Sequence, residues 1–174
     1  MTVGASPLDV GGLFVRAVDV VTTLNTGPSG TGSAFYTPVT NLWYRANFAG
    51  AADLGVLTSN TVRTVVRQIS ILRPTNFGSV RRISRGAAIT FVDTVRPARP
   101  ELAPATVRFV FYRQVTGGAW LLHSQRDVVI NAVGEAATTW SFPTTGEWYV
   151  RSQARPTPYN ANSVWGPIER YSVR

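Results

Sequence analysis

The chain has 174 residues, 44% hydrophobic and 15% charged, a globular composition with room for one or two domains. Cysteine is absent, which removes disulfides, thiolate nucleophiles and most structural zinc sites. The net charge of +8 is carried wholly by arginine, since no lysine occurs, and twelve of the seventeen arginines lie beyond residue 75.

An all-arginine, alanine-rich chain reads as GC-rich coding at least as readily as a phosphate-binding surface, which usually recruits both cations. The longest apolar runs, such as FVFY at 109–112, are far too short to cross a bilayer. The opening MTVGASPLDVGGLFVRAVDVV lacks a basic start followed by an apolar core and a cleavage site, so no signal peptide is expected.

In chain order, apolar and polar residues first alternate over 13–21, a strand pattern. The stretch NTGPSGTGSA at 25–34 reads as a Gly/Ser-rich loop or linker. In SNTVRTVVRQI at 59–69, apolar residues at 62, 65, 66 and 69 have the spacing of one helical face. A short helix capped by Ser59 or Asn60 is expected there, although its Val and Thr residues favour a strand. LRPTNFG at 72–78 marks a boundary between an N-terminal docking segment or small β domain over 1–75 and a domain over 78–174.

Beyond that boundary the period is two throughout: 87–95, 106–115, 119–130, 136–142, 148–154 and 168–173. Gly86, Thr116-Gly117-Gly118, Gly134, Gly146 and the 156–166 stretch separate these segments at short intervals. Evenly spaced strands rich in β-branched and aromatic residues predict an all-β sandwich or barrel.

The later segments carry a resemblance. GAAITFVDTV at 86–95, TVRFVFYR at 106–113 with AWLLH after a Gly-Gly turn, GEAATTW at 134–140 and FPTTGEWYV at 142–150 resemble successive strands of bacterial and phage immunoglobulin-like (fibronectin-like) domains. The resemblance covers about residues 78–174 and implies a β-sandwich of about seven antiparallel strands, preceded by a less regular, mostly β N-terminal segment. In that family a tyrosine two residues after a glycine ties the corner to upstream backbone. Here Gly146 is followed by Trp148 with Tyr149 out of phase, so Gly146 and Trp148 are the expected structural corner. An indole has one donor and no acceptor and copies that bonding only in part.

Candidate chemistry is sparse. His123, the one histidine, falls on the face of its strand opposite Trp120 and Leu122, the solvated one. No nucleophile elbow supports a catalytic triad. The nine acids are scattered. Asp93, in register with Ile89 and Phe91, should point inward, where a bulge or an edge position would relieve its charge. No calcium-loop pattern and no cofactor motif occurs, so no catalytic, cofactor or metal residue is assigned.

Arg81, Arg82 and Arg85 in SVRRISR form a candidate polyanion contact, unaccompanied by any nucleic-acid-binding motif. The aromatics are numerous. In TTGEWYVRSQA at 144–154, alternation puts Trp148 and Val150 inside and leaves Tyr149 and Arg151 outside, with Trp120 and Trp140 expected inward. Trp43 and Tyr44 are further candidates for exposure. The loop RPTPYNANS at 155–163 sits where such folds carry recognition loops. The candidate recognition set is therefore Tyr149, Arg151, Arg155, Tyr159, Asn160, Asn162 and Trp165.

These readings point to a non-enzymatic, surface-acting protein: a structural or adhesive component of an extracellular assembly. A phage virion protein, in a capsid-decoration or tail-associated role, fits the missing leader best. A secreted or cell-surface carbohydrate-binding module is the alternative. Expected partners are protein subunits of a capsid, tail or surface layer, with a second copy or a glycan as further partners; nucleic acid and membrane insertion are not expected.

Overall fold

The computed structural model describes residues 2–6, 19–25, 33–35, 37–38, 40–50, 55–76, 78–98 and 104–174. The strand expected over 13–21 and the Gly/Ser-rich loop expected over 25–34 lie largely outside the described residues, and of the former, residues 19–21 are strand. The protein is all-β and sandwich-like, with no helix among the described residues. It divides into two compact units, Met1–Val66 with Pro158–Asn160, and Arg67–Thr157 with Ala161–Arg174.

The first unit contains β1 (Thr2–Ser6), β2 (Asp19–Thr23), β3 (Leu42–Phe48), β4 (Leu57–Thr58) and β5 (Val62–Thr64). They form one antiparallel sheet in the order β2-β1-β3-β4, with β5 also paired to β3. The helix expected over 59–69 does not form. Val62, Arg63 and Thr64 pair instead with Tyr44, Trp43 and Leu42. The β-branched residues decide the matter, because a helix would restrict their χ1 freedom and a pleated sheet would not.

The second unit holds β6 (Ile69–Arg73), β7 (Val80–Ile83), β8 (Ala88–Arg96), β9 (Thr106–Gln114), β10 (Trp120–Val129), β11 (Glu135–Ser141), β12 (Gly146–Ala154) and β13 (Glu169–Val173). A three-stranded sheet, β11-β8-β6, faces a five-stranded sheet, β10-β9-β12-β13-β7. This unit starts earlier than the expected residue 78, because β6 pairs along its length with β8. Eight strands replace the expected seven or so, and one pairing, β13 with β7, is parallel.

Alternation explains the core. Phe91 and Val95 from β8 and Trp140 from β11 point at Val107, Phe109 and Phe111 of β9, Trp148 and Val150 of β12, and Tyr171 of β13. The rings meet between the sheets: Phe111 stacks on Trp140 at 4.3 Å, and Phe91 stands edge-on to Phe111 at 5.8 Å and to Tyr171 at 5.9 Å. Such pairs add about 0.5–1.5 kcal/mol each beyond the area they bury. Trp148 is fully buried, and its Nε1–H donates to the Thr144 carbonyl at 3.1 Å. The indole thus ties the corner to upstream backbone with its single donor, while Gly146 supplies the turn at φ +120°.

Among the described residues two carboxylates are buried here, and neither has an ion-pair partner there. Glu169 accepts hydrogen bonds from Thr75 Oγ1 at 3.0 Å and from the Asn76 N–H, so it anchors the segment that carries the chain from β6 in one sheet to β7 in the other. Asp93 points inward as expected, but no bulge or edge relieves it. Ser70 Oγ and the Ile71 N–H of β6 donate to its two oxygens instead.

Burial pushes the Asp93 carboxyl above its ordinary range, against the pull of the Ser152 and Ser70 hydroxyls and the Ile71 N–H. A carboxyl whose folded pKa is raised holds its proton more tightly folded than unfolded. Its contribution is therefore full below the unfolded value of about 3.9 and is lost as pH rises through the folded one. The urea midpoint of Asp93→Asn should accordingly gain on wild type as pH climbs from about 4 through that window. A gap that stays constant, or narrows, would show that burial does not dominate this site.

Candidate docking face

The outer face of the five-stranded sheet gathers three of the seven predicted recognition residues, Tyr149, Arg151 and Trp165. Cross-strand register sets its composition. Leu122, Tyr112, Tyr149, Arg170 and Val80 lie side by side across β10, β9, β12, β13 and β7. One row along, Gln125, Val110 and Arg151 are neighbours, and beyond them Asp127, Arg108 and Gln153. On the other side, Trp120 lies opposite Gln114, and Glu147, Ser172 and Arg82 form a further row.

The aromatics of this face form a packed patch. Tyr112 and Tyr149 stack at 4.6 Å with 16° between their planes, and Trp120 leans on Tyr149 at 4.8 Å. The Arg151 guanidinium lies 4.5 Å from the Trp165 ring centroid and 5.9 Å from that of Tyr112. Arg108 grips Asp127 with two parallel bonds of 2.8 and 2.7 Å, the one ion pair among the described residues. That pairing holds the Asp127 carboxyl below the usual range, the Arg108 hydrogen bond being the main cause. Leu122, 50% exposed, Val80, 46%, and Trp165, 36%, mark where the patch stays open to solvent.

Two expectations about rings need correction. Tyr149 does point outward, but it is only 8% exposed, because Tyr112 and Trp120 cover it. Burial accordingly pushes its phenol pKa up. Trp120 does not face the core. A register shift between Leu122 and Ser124 inserts His123 as an extra residue, so Trp120 and Leu122 share the outer face while Arg126 and Val128 face inward. His123 is exposed, yet its ring sits edge-on to Trp148 at 4.8 Å and to Trp140 at 5.9 Å. Trp140 faces inward as expected.

The remaining candidates do not converge. Arg155, just beyond β12, is the partial exception: it is half-buried, its N–H is bonded to the Thr106 carbonyl at 2.7 Å, and its charge acts on Asp127 at the margin of the face. Tyr159 and Asn160 belong to the first unit, where the Tyr159 carbonyl accepts from the Asn41 N–H, and Asn160 is buried. Asn162 is exposed and donates to the Ser163 carbonyl at 3.2 Å. Ser163 in turn pins the end of that loop, its Oγ accepting from the Ala154 N–H and its carbonyl from Gln153 Nε2.

Arg81 and Arg82 alternate to opposite sides of β7. Arg85 donates through Nε to the Pro143 carbonyl at 3.0 Å. The three arginines of SVRRISR therefore make no common anion site. In the first unit, Trp43 and Tyr44 are half-buried, and the Arg63 guanidinium lies 5.7 Å from the Trp43 ring.

Sequence reasoning missed the members of the face that only register reveals: Tyr112, Leu122, Val80, Arg82 as part of this face, and Arg170. Their signal was period two itself, read strand by strand without the pairing that aligns the strands.

Neither a protein-family model nor a curated protein matches the sequence. Among solved structures the chain is similar to a superoxide reductase (neelaredoxin) from Ignicoccus hospitalis, at 11% identity and a TM-score of 0.38. The match covers 63% of this chain and 81% of that one, and likeness at this level carries neither fold nor activity across.

Proposed function

We propose that the chain is a non-enzymatic structural or adhesive component of an extracellular assembly, most simply a phage virion protein in a capsid-decoration or tail-associated role. In this reading its second unit is an immunoglobulin-like module working through the outer face of the five-stranded sheet. The observation that carries it is that face: Trp120, Tyr149, Tyr112, Arg151 and Trp165 in one continuous packed row. Trp, Tyr and Arg are the residues in which protein interfaces and their hot spots are enriched.

Strand order supports the immunoglobulin-like assignment. With β6, β8 and β11 as strands A, B and E, and β9, β12 and β13 as C, F and G, the pairings of both sheets follow that plan, and β10 extends the second sheet as C′. The Trp148-to-Thr144 bond supports it too, as an indole version of that family's tyrosine corner. The edge-on packing of His123 on Trp148 supports a structural use of the single histidine. The carbohydrate-module reading loses its leading ring, since Tyr149 is covered.

Co-sedimentation with shells of the encoding phage tests the virion reading. Purified protein should pellet with the shells and stay in solution without them. A protein that remains monomeric in the supernatant in both cases overturns it.

A further inference from the structure

Three features of the outer face bear on what it meets. The first is the posture of Arg151. Its guanidinium is flanked by the Trp165 and Tyr112 rings, 4.5 and 5.9 Å from its central carbon. Contacts with ring faces hold a guanidinium without using its in-plane donors. The second is that the Arg151 Nε–H is buried and has no acceptor among the described residues. A donor closed to solvent is also closed to a partner, so an incoming carboxylate would meet the two terminal nitrogens, a parallel pair of donors.

The third feature is the balance of charge. Arg82, Arg151 and Arg170 share the face with Glu147 and Asp127, and Asp127 is already taken by Arg108. Beside the Arg108–Asp127 pair, these rows thus hold three further arginines and one further carboxylate, and the charge of Arg155 also acts on Asp127.

We infer that this face docks an acidic protein surface, with Arg151 taking a partner carboxylate while partner apolar groups cover Leu122, Tyr112 and Trp165. The inference rests on the docking role proposed above and names its chemistry. Planar, two-pronged recognition of carboxylate is what an arginine clamped in one orientation does well. A second copy is a poor occupant, because it would bring the same three arginines against these. Nucleic acid is a poor one too, because Arg81, Arg82 and Arg85 do not converge into a phosphate track.

The test uses the full-length protein and poly-L-glutamate as probe, with heparin and duplex DNA as parallel arms at matched charge concentration. Poly-L-glutamate should bind with an affinity that falls as salt rises. Arg151→Ala should weaken it about tenfold or more, and Arg151→Lys by nearly as much, because lysine keeps the charge but loses the fork and the ring contacts. Trp165→Ala should weaken it as well by releasing Arg151. Unchanged near-UV circular dichroism and urea midpoints identify variants that remain folded, and Arg151→Lys serves if Arg151→Ala does not.

The inference is overturned if poly-L-glutamate fails to bind at low salt, or if folded Arg151 variants bind it as wild type does. Equal, Arg151-dependent binding of heparin or DNA overturns it in favour of a general polyanion surface. Reversible dimerisation lost in Arg151→Ala overturns it in favour of a second copy. Failure of the probe while the protein still pellets with shells removes the carboxylate chemistry alone; binding of the probe without pelleting removes the virion context alone.

Discussion

Trp148→Ala should destabilise the second unit by about 3–5 kcal/mol, the usual range for deleting a fully buried tryptophan. Three losses act together. The cavity opens among Phe142 and His123, whose rings stand edge-on to the indole at 5.6 and 4.8 Å. The Thr144 carbonyl loses its donor. The corner that starts β12 loses the tie that fixes its approach to the sheet. Trp148→Phe separates these effects, because it restores much of the volume but not the Nε1–H. It should cost distinctly less than alanine, with about 1 kcal/mol of its deficit attributable to the missing hydrogen bond. Denaturant unfolding followed by far-UV circular dichroism reads both, and an alanine variant within about 1 kcal/mol of wild type would contradict the corner role.

Gly134→Ala is the second large effect expected, and it arises from backbone and space together. Gly134 has φ of +83°, where an L-residue is strained. A Cβ there would also lie 2.5 Å from Ala98 Cβ, 2.6 Å from Arg96 Nη1 and 3.1 Å from the Val95 carbonyl oxygen. The arginine can move; Ala98 and the Val95 carbonyl are held by the chain, and the Val95 N–H is itself bonded to the Gly134 carbonyl at 2.9 Å. Left-handed strain of about 1–2 kcal/mol and overpacking of about 1–3 kcal/mol together predict a loss of about 2–5 kcal/mol. Gly117→Ala is the control: its φ is +88°, but nothing lies within 4 Å of the added carbon, so only the strain should remain. Equal losses at the two positions, measured by urea unfolding, would show that crowding at Gly134 is absorbed.

The strands of the second unit from β8 to β13 were legible because their residue types alternate, and in all of them but β10, which buries no residue fully, that alternation follows a buried face. The two that were missed break that rule for physical reasons. β7 is a short edge strand of sequence VRRI, largely exposed on both faces, so it carries no alternation. β6, ISILR, shows solvent its two isoleucines and buries Leu72, which blurs the pattern. The docking face was half-legible. Alternation correctly turned Tyr149 and Arg151 outward, but the cover over Tyr149 comes from Tyr112, opposite it through strand register, and from Trp120, turned outward by the single inserted residue His123. Pairing partners distant in sequence and a one-residue bulge leave no local trace. Glu169 was equally silent, because nothing in its neighbourhood in the chain announces that Thr75 and Asn76 will close over it.

The parallel seam between β13 and β7 has a mechanical consequence. Four residue pairs form it, from Arg170 opposite Val80 to Val173 opposite Ile83. β7 lies near the start of the second unit and β13 at its end, and both run in the same direction. Tension applied between the two ends of the unit would therefore drag these strands past each other lengthwise, loading the seam's hydrogen bonds all at once instead of peeling them open one by one. A joint loaded in that way yields at higher force than one that unzips, and it places the resistance of the unit at the seam whose entry Glu169 anchors.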